Sequence, residues 1–149
     1  MAARYPRPMR GYTLLEMLLV VILIGVAVTI VVPPLSRALD RAAVDEAAER
    51  YAALHETARE LAIARGRHVR VELDSVRRQA VIALRQTATT WDTLDVSPLG
   101  RAGLSASRTM VTFSPLGIGF GASNTSIVFT CGMAAETVTV SRTGRLRRS

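Results

Sequence analysis

Met9–Pro34 reads MRGYTLLEMLLVVILIGVAVTIVVPP, and one carboxylate within it decides how the whole chain is read. Met17–Val32 is almost purely apolar, with Glu16 and Arg37 the nearest charges on either side. Tyr12–Val32 is 21 residues. As a helix rising about 1.5 Å per residue it spans about 31 Å, close to the thickness of a bilayer core. A buried core helix of that length is rarely apolar on every face, so the segment predicts a membrane helix. Glu16 is then an acid in lipid. Such a group costs about 2.5–3.5 kcal/mol at the bilayer centre and less near an interface, and it normally has a partner.

The flanks give the direction. Arg4, Arg7 and Arg10 precede the apolar run without an acid among them, whereas Arg37, Asp40, Arg41, Asp45 and Glu46 nearly cancel after it. Positive charge stays inside, which predicts a cytoplasmic N-terminus and places everything after Pro34 across the membrane. An ordinary secretory signal would end in small residues suited to cleavage. This run ends in TIVVPPLS, and no Cys lies nearby to take a lipid. The processing-like feature lies ahead of the run, at Gly11-Tyr12, behind a short basic leader.

These residues resemble the class III signal of type IV pilins and type II secretion pseudopilins. That pattern is a basic leader ending in Gly, an aromatic residue, three further residues, Glu, and an apolar helix. The resemblance implies cleavage by a prepilin peptidase after Gly11, N-methylation of the new terminus at Tyr12, and an assembly role for Glu16 as the fifth mature residue. The family usually has Phe where this chain has Tyr12. The freed Tyr12 amine stays cationic when methylated and can neutralise Glu16. Tyr12 and Glu16 are an i,i+4 pair, so the contact can form within one chain. The alternative is a contact to the Tyr12 amine of a neighbouring subunit, which would set the stagger of subunits in a filament.

Beyond the membrane segment, Pro33 and Pro34 predict a kink or short break, with Ser36 able to cap a second helical stretch. Leu39, Ala43, Ala47, Tyr51, Leu54, Ala58 and Leu61 recur at helical spacing, and Arg41, Asp45, Glu49, Glu56 and Glu60 take the other face. Gly66 closes this amphipathic helix. The alternative, a coiled coil, fits an Ala-rich and short run less well than packing on the chain's own β-domain. From Arg67 the period changes to two. RHVRVELD puts Val69, Val71 and Leu73 on one face, and QAVIALR pairs back through a turn at Asp74-Ser75. Residues 86–109 read as a long loop with a short strand near Trp91–Val96. TMVTFS, TSIVFTC and ETVTVSR read as three more strands, SPLGIGFGAS as a link, and RLRRS as a closing strand after a turn at Thr143-Gly144.

A second resemblance follows from FSPLGIGF and TVTVSRTGRLRRS, which look like the C-terminal signature of GspH/FimT-type minor pseudopilins. The fold expected is therefore α+β and pilin-like: a long N-terminal helix, half membrane and half amphipathic, packed on antiparallel β-sheets. The expected organisation is a leader at 1–11, a membrane and assembly helix at 12–33, its amphipathic continuation at 34–66, and a β-rich periplasmic domain at 67–149.

The rest of the composition limits chemistry. The chain has 149 residues and a formal charge of +7, and all 19 basic side chains are Arg. The absence of Lys reads as codon bias. Cys131, the sole cysteine, excludes an internal disulfide and reads as a buried inert thiol. His55 and His68 are too few for a metal site; His55 reads as a boundary residue of the helix. GIGFG, at 117–121, precedes a strand rather than a helix and so lacks the helix terminus that holds phosphate. No nucleophile motif stands out, and the chain reads as a non-enzyme without a cofactor.

Arg142, Arg145, Arg147 and Arg148 crowd the last eight residues. They read as a solvated edge strand whose charge blocks aggregation, or as a phosphate-contacting patch. Gly144-Arg145-Leu146-Arg147 resembles the Gly-Arg-x-Arg stretch with which FimT-type pilins capture DNA. The function expected is a minor pseudopilin of a type II secretion system in the inner membrane, with other pilin-like subunits and the prepilin peptidase as partners. The alternatives are a minor pilin of a type IV pilus that binds DNA, and a monomeric anchored binding domain, against which Glu16 argues.

Overall fold

A computed structural model describes residues 12–121 and 123–149; Gly11, the expected cleavage residue, lies outside the described residues. Helix α1 runs from Leu14 to Arg65, 52 residues. Thr13 caps it: its side-chain Oγ1 accepts from the Glu16 amide at 3.2 Å and its carbonyl from the Met17 amide at 3.2 Å. The first of these satisfies one of the backbone donors that a helix start leaves orphaned, and the second is the first regular bond of the helix. At the other end Gly66 takes φ 58°, the Gly66 amide reaches the Ile63 carbonyl, and the Arg67 amide reaches the Ala62 carbonyl. That double closure is the Schellman motif which a C′ glycine permits.

The chain divides between Ser36 and Arg37 into two units. In the first, every apolar side chain from Leu14 to Leu35 is exposed. An 18-residue window there has mean hydropathy 2.9 and nothing buried, so the segment is long and apolar enough to cross a membrane. The expected break at the prolines is absent. Pro33 and Pro34 lie inside α1, although they remove the donors that would reach the carbonyls of Thr29 and Ile30. Ser36 is accordingly no cap; its hydroxyl donates back to the Pro33 carbonyl at 2.9 Å.

In the second unit the helical face bearing Val44, Ala47, Ala48, Tyr51, Leu54, Ala58 and Ala62 is buried against two four-stranded sheets. Small Ala side chains bring the helix backbone close to the strands, and Tyr51 fills the centre, 6.3 Å from the Phe129 ring. The stripe starts later than expected: Leu39 is exposed, and burial begins at Ala43. The first sheet has the order β3-β2-β1-β5, built from β1 (Val69–Asp74), β2 (Gln79–Arg85), β3 (Trp91–Pro98) and β5 (Met110–Phe113). The second has the order β4-β6-β7-β8, from β4 (Gly103–Ala106), β6 (Thr125–Cys131), β7 (Ala134–Val140) and β8 (Leu146–Arg148). All pairings within the sheets are antiparallel.

Strand β1 alternates as the period of two requires, with Val69, Val71 and Leu73 buried. Asp74 folds the following turn by accepting from the Val76 and Arg77 amides at 3.0 and 2.9 Å. The long loop expected over 86–109 is instead two strands, and β3 extends two residues beyond Val96. Both are edge strands, and most of β3 is exposed, so it carries no apolar alternation; its pairing with β2, across an irregularity at Ile82/Ala83, holds it extended.

Candidate functional site

The first candidate cluster opens α1. Glu16 sits in the first helical turn, exposed, where a negative charge is favoured by the helix dipole. Thr13-Leu14-Leu15-Glu16 is a Ser/Thr-x-x-Glu capping pattern, a local signal for the helix start that the sequence reading passed over. Thr13 therefore fixes the backbone at Glu16, and the carboxylate has no ion-pair partner among the described residues. Tyr12 precedes the helix and is also exposed.

The second candidate, the arginine-rich end, separates into two parts. β8 pairs with β7 in the register Val138↔Arg148, Thr139↔Arg147 and Val140↔Leu146. Val138 and Val140 face the core, so Leu146 and Arg148 turn inward while Arg145 and Arg147 turn outward. Arg148 forks onto Glu136, with Nη2 at 3.1 Å from Oε2, and its Nη1 reaches Glu49 of α1 at 3.5 Å. Glu136 is only 13% exposed. The hydrogen bonds that Arg148 donates to Glu136 push its pKa further up, against a smaller lowering by desolvation; the Glu136 charge, the bond to Glu49 and the Glu49 charge add to the rise, so this guanidinium is committed to the fold. The alternation in Glu136-Thr137-Val138-Thr139-Val140 carried the signal: Glu136 shares the face of two core valines.

Arg145 and Arg147 line a cleft of about 420 Å³ on the outer face with Thr139, Ser141 and Leu146. Arg142 is exposed in the turn before them, and none of these three is ion-paired among the described residues. The turn itself is rigid. The Ser141 amide donates to the Arg145 carbonyl at 2.8 Å, and the Gly144 amide donates to the Ser141 carbonyl at 2.9 Å. Gly144 has φ 80°, and a Cβ there would lie 3.1 Å from Phe113 Cε1. A glycine is needed for both reasons.

His55 anchors that turn from the helix and is not a boundary residue. It is fully buried, stacked edge-on at 4.8 Å from the Phe113 ring, and its Nε2–H donates to the Gly144 carbonyl at 2.9 Å. The bonded carbonyl fixes the tautomer, and Nδ1 has no partner among the described residues. Burial lowers the His55 pKa below its usual value, more than the Gly144 hydrogen bond raises it. The neutral ring thus belongs to the core. Spacing alone could not show this, because a His at the edge of an Ala-rich stripe carries no signal of what will cover it.

Cys131 is half-buried rather than buried; its thiol donates to Asp40 Oδ1 at 3.4 Å, and Arg101 meets the same carboxylate at 3.3 Å. Partial burial and then Asp40 raise the thiol pKa, which keeps it protonated and unreactive. Among the described residues no three His, Cys, Asp or Glu side chains cluster as metal ligands would.

Two family profiles match the chain. One, described as the prokaryotic N-terminal methylation motif, covers residues 6–32. The other, described as Type II transport protein GspH, covers residues 47–144. No curated protein matches it in sequence. The fold is similar to that of the type IV minor pilin FimU of Pseudomonas aeruginosa, with a TM-score of 0.60 over 71% of this chain and 87% of that one at 16% identity. It is equally similar to the minor pseudopilin EpsH from the Type 2 Secretion System of Vibrio cholerae, with a TM-score of 0.59 over 71% of this chain and 95% of that one at 15% identity. A long helix on antiparallel sheets is thus a pilin and pseudopilin architecture, and with the GspH profile spanning well over half of its residues, the chain belongs to the GspH family of pilin-like proteins.

Proposed function

We propose that this chain is a minor pseudopilin of a type II secretion system, a structural subunit of a periplasmic pseudopilus rather than an enzyme. The observation that carries the reading is the pairing of a methylation motif over residues 6–32 with a GspH module over 47–144. The proposed organisation is a leader ending at Gly11, an assembly helix at 12–33, its continuation at 34–66 and a periplasmic β-domain at 67–149. A prepilin peptidase removes the leader, and Tyr12 becomes the methylated terminus. The apolar run holds the subunit in the inner membrane with the N-terminus cytoplasmic. Glu16 meets the freed amine, and a neighbour's amine satisfies it once subunits leave the bilayer. The test is Glu16→Ala in cells carrying the rest of the machine: incorporation into the pseudopilus and export of its cargo should be lost while the protein accumulates in the membrane. Wild-type incorporation refutes the role of Glu16.

One observation favours a second reading, a minor pilin that binds DNA. Arg142, Arg145 and Arg147 project without ion-pair partners among the described residues, and two of them share a cleft. Three phosphate contacts would give a log–log salt slope of about −3. Duplex binding that is salt-dependent and lost in Arg145→Ala/Arg147→Ala supports this reading; affinity indifferent to salt or to these changes removes it.

A further inference from the structure

The loop between β5 and β6 carries apolar side chains that the function above does not use. Leu116, Ile118 and Phe120 are 78%, 47% and 53% exposed, and beside them Ile63, near the end of α1, is 54% exposed. A Cβ on Gly117 would come within 3.0 Å of the Ile63 side chain, so loop and helix end form one surface. Loose loops can hide such residues, but this one is held open. The Ser114 amide donates to the Ile118 carbonyl at 2.8 Å, the Gly117 amide to the Ser114 carbonyl at 2.9 Å, and the Phe120 amide to the Thr112 carbonyl at 2.8 Å. The Ser123 hydroxyl adds a bond to the Phe120 carbonyl at 2.6 Å, and the Phe120 ring rests edge-on at 4.5 Å from His68. A preorganised apolar patch loses little freedom when something covers it, and contiguous exposed apolar surface of this kind marks interaction sites.

The charge around the patch says what kind of cover fits. Arg59 lies against Gly117, and Arg67 and Arg85 share a cleft with Pro115. Against these cations stand Glu56, 4.0 Å from Arg59, and exposed Glu60, one turn before Ile63 on α1. An apolar centre within an arginine rim is the make-up of a protein–protein interface, and its complement is an apolar centre within a carboxylate rim. Leu116, Ile118 and Ile63 are aliphatic, and the Phe120 ring is already engaged by His68, which favours protein over nucleic acid here.

We propose that this loop and the C-terminal end of α1 form the docking surface for a neighbouring pilin-like subunit of different sequence, whose contacting face is apolar and rimmed by carboxylates. The inference rests on the filament reading above. Two copies of this patch would set arginine against arginine, and a chain with a formal charge of +7 is a poor source of a carboxylate rim. The contact is therefore between unlike surfaces, the kind that extends a filament instead of closing a dimer.

The test places a photo-crosslinking amino acid at position 116 of the full chain in its native cells. Position 76 is the control, because Val76 is 90% exposed in the β1–β2 turn, away from the patch. Position 19, in the apolar run, reports filament contacts independently. The expected result is an adduct from position 116, identified by mass spectrometry as another pilin-like chain, with none from position 76. In Arg59→Glu/Arg67→Glu that adduct should fall about tenfold or more. An adduct with a second copy of this chain, with nucleic acid or with lipid overturns the proposal, as does an unchanged yield in the charge-reversed variant. No adduct at 116 while position 19 still captures pilin-like subunits overturns the docking surface and leaves the filament reading standing. No adduct at either position overturns both.

Discussion

Arg148→Ala tests how the arginine-rich end is divided between fold and surface. Removing this side chain takes two hydrogen bonds from a Glu136 carboxylate that is 13% exposed, and one from Glu49, which is well solvated. Hydrogen bonds to a charged group contribute about 1.5–3 kcal/mol when buried. Arg148 itself keeps about a third of its exposure, so screening reduces the figure, and a loss of roughly 1–2 kcal/mol is expected. Arg145→Ala and Arg147→Ala remove outward side chains that have no ion-pair partner among the described residues, and should stay within about 0.5 kcal/mol of the parent. Urea unfolding of the purified chain in detergent, followed by the fluorescence of Trp91, measures all three. Adding Glu136→Gln to Arg148→Ala should recover part of the loss, because the stranded charge is gone. Equal effects at 145, 147 and 148, or a neutral Arg148→Ala, would refute the inward placement of Arg148.

Two further expectations concern the helix-to-turn anchor. His55 has a lowered native pKa, so the unfolded chain binds its proton first as pH falls. Its contribution to stability is therefore complete above the unfolded value of about 6.5. It declines as pH drops from there towards the native value, so urea midpoints should fall below about pH 6.5, and in His55→Asn this part of the pH dependence should vanish. Gly144→Ala forces an L residue to φ 80° and crowds Phe113, and should cost about 1–2 kcal/mol by the same titration.

Legibility from sequence followed how local the cause was. The apolar run, the Gly66 stop, the alternation of β1 and the closing hairpin each depend on residues within a few positions, and the fold class follows from them. Where partners came from afar the reading failed. β3 is extended because β2 lies beside it, not because Trp91–Pro98 alternates. The prolines should have interrupted α1 on local grounds, and they did not. His55 joins the core because Phe113 and Gly144, over fifty residues away, close on it. The arginine cluster was visible as composition, but its division awaited the β7–β8 register that turns Arg148 inward.

The most direct measurement is intact-mass and N-terminal sequencing by mass spectrometry of the protein recovered from the membranes of cells with an active prepilin peptidase. The account predicts a chain that begins at Tyr12 and carries an N-methyl group there. A chain that still begins at Met1, or one cut beyond Val32, would contradict it.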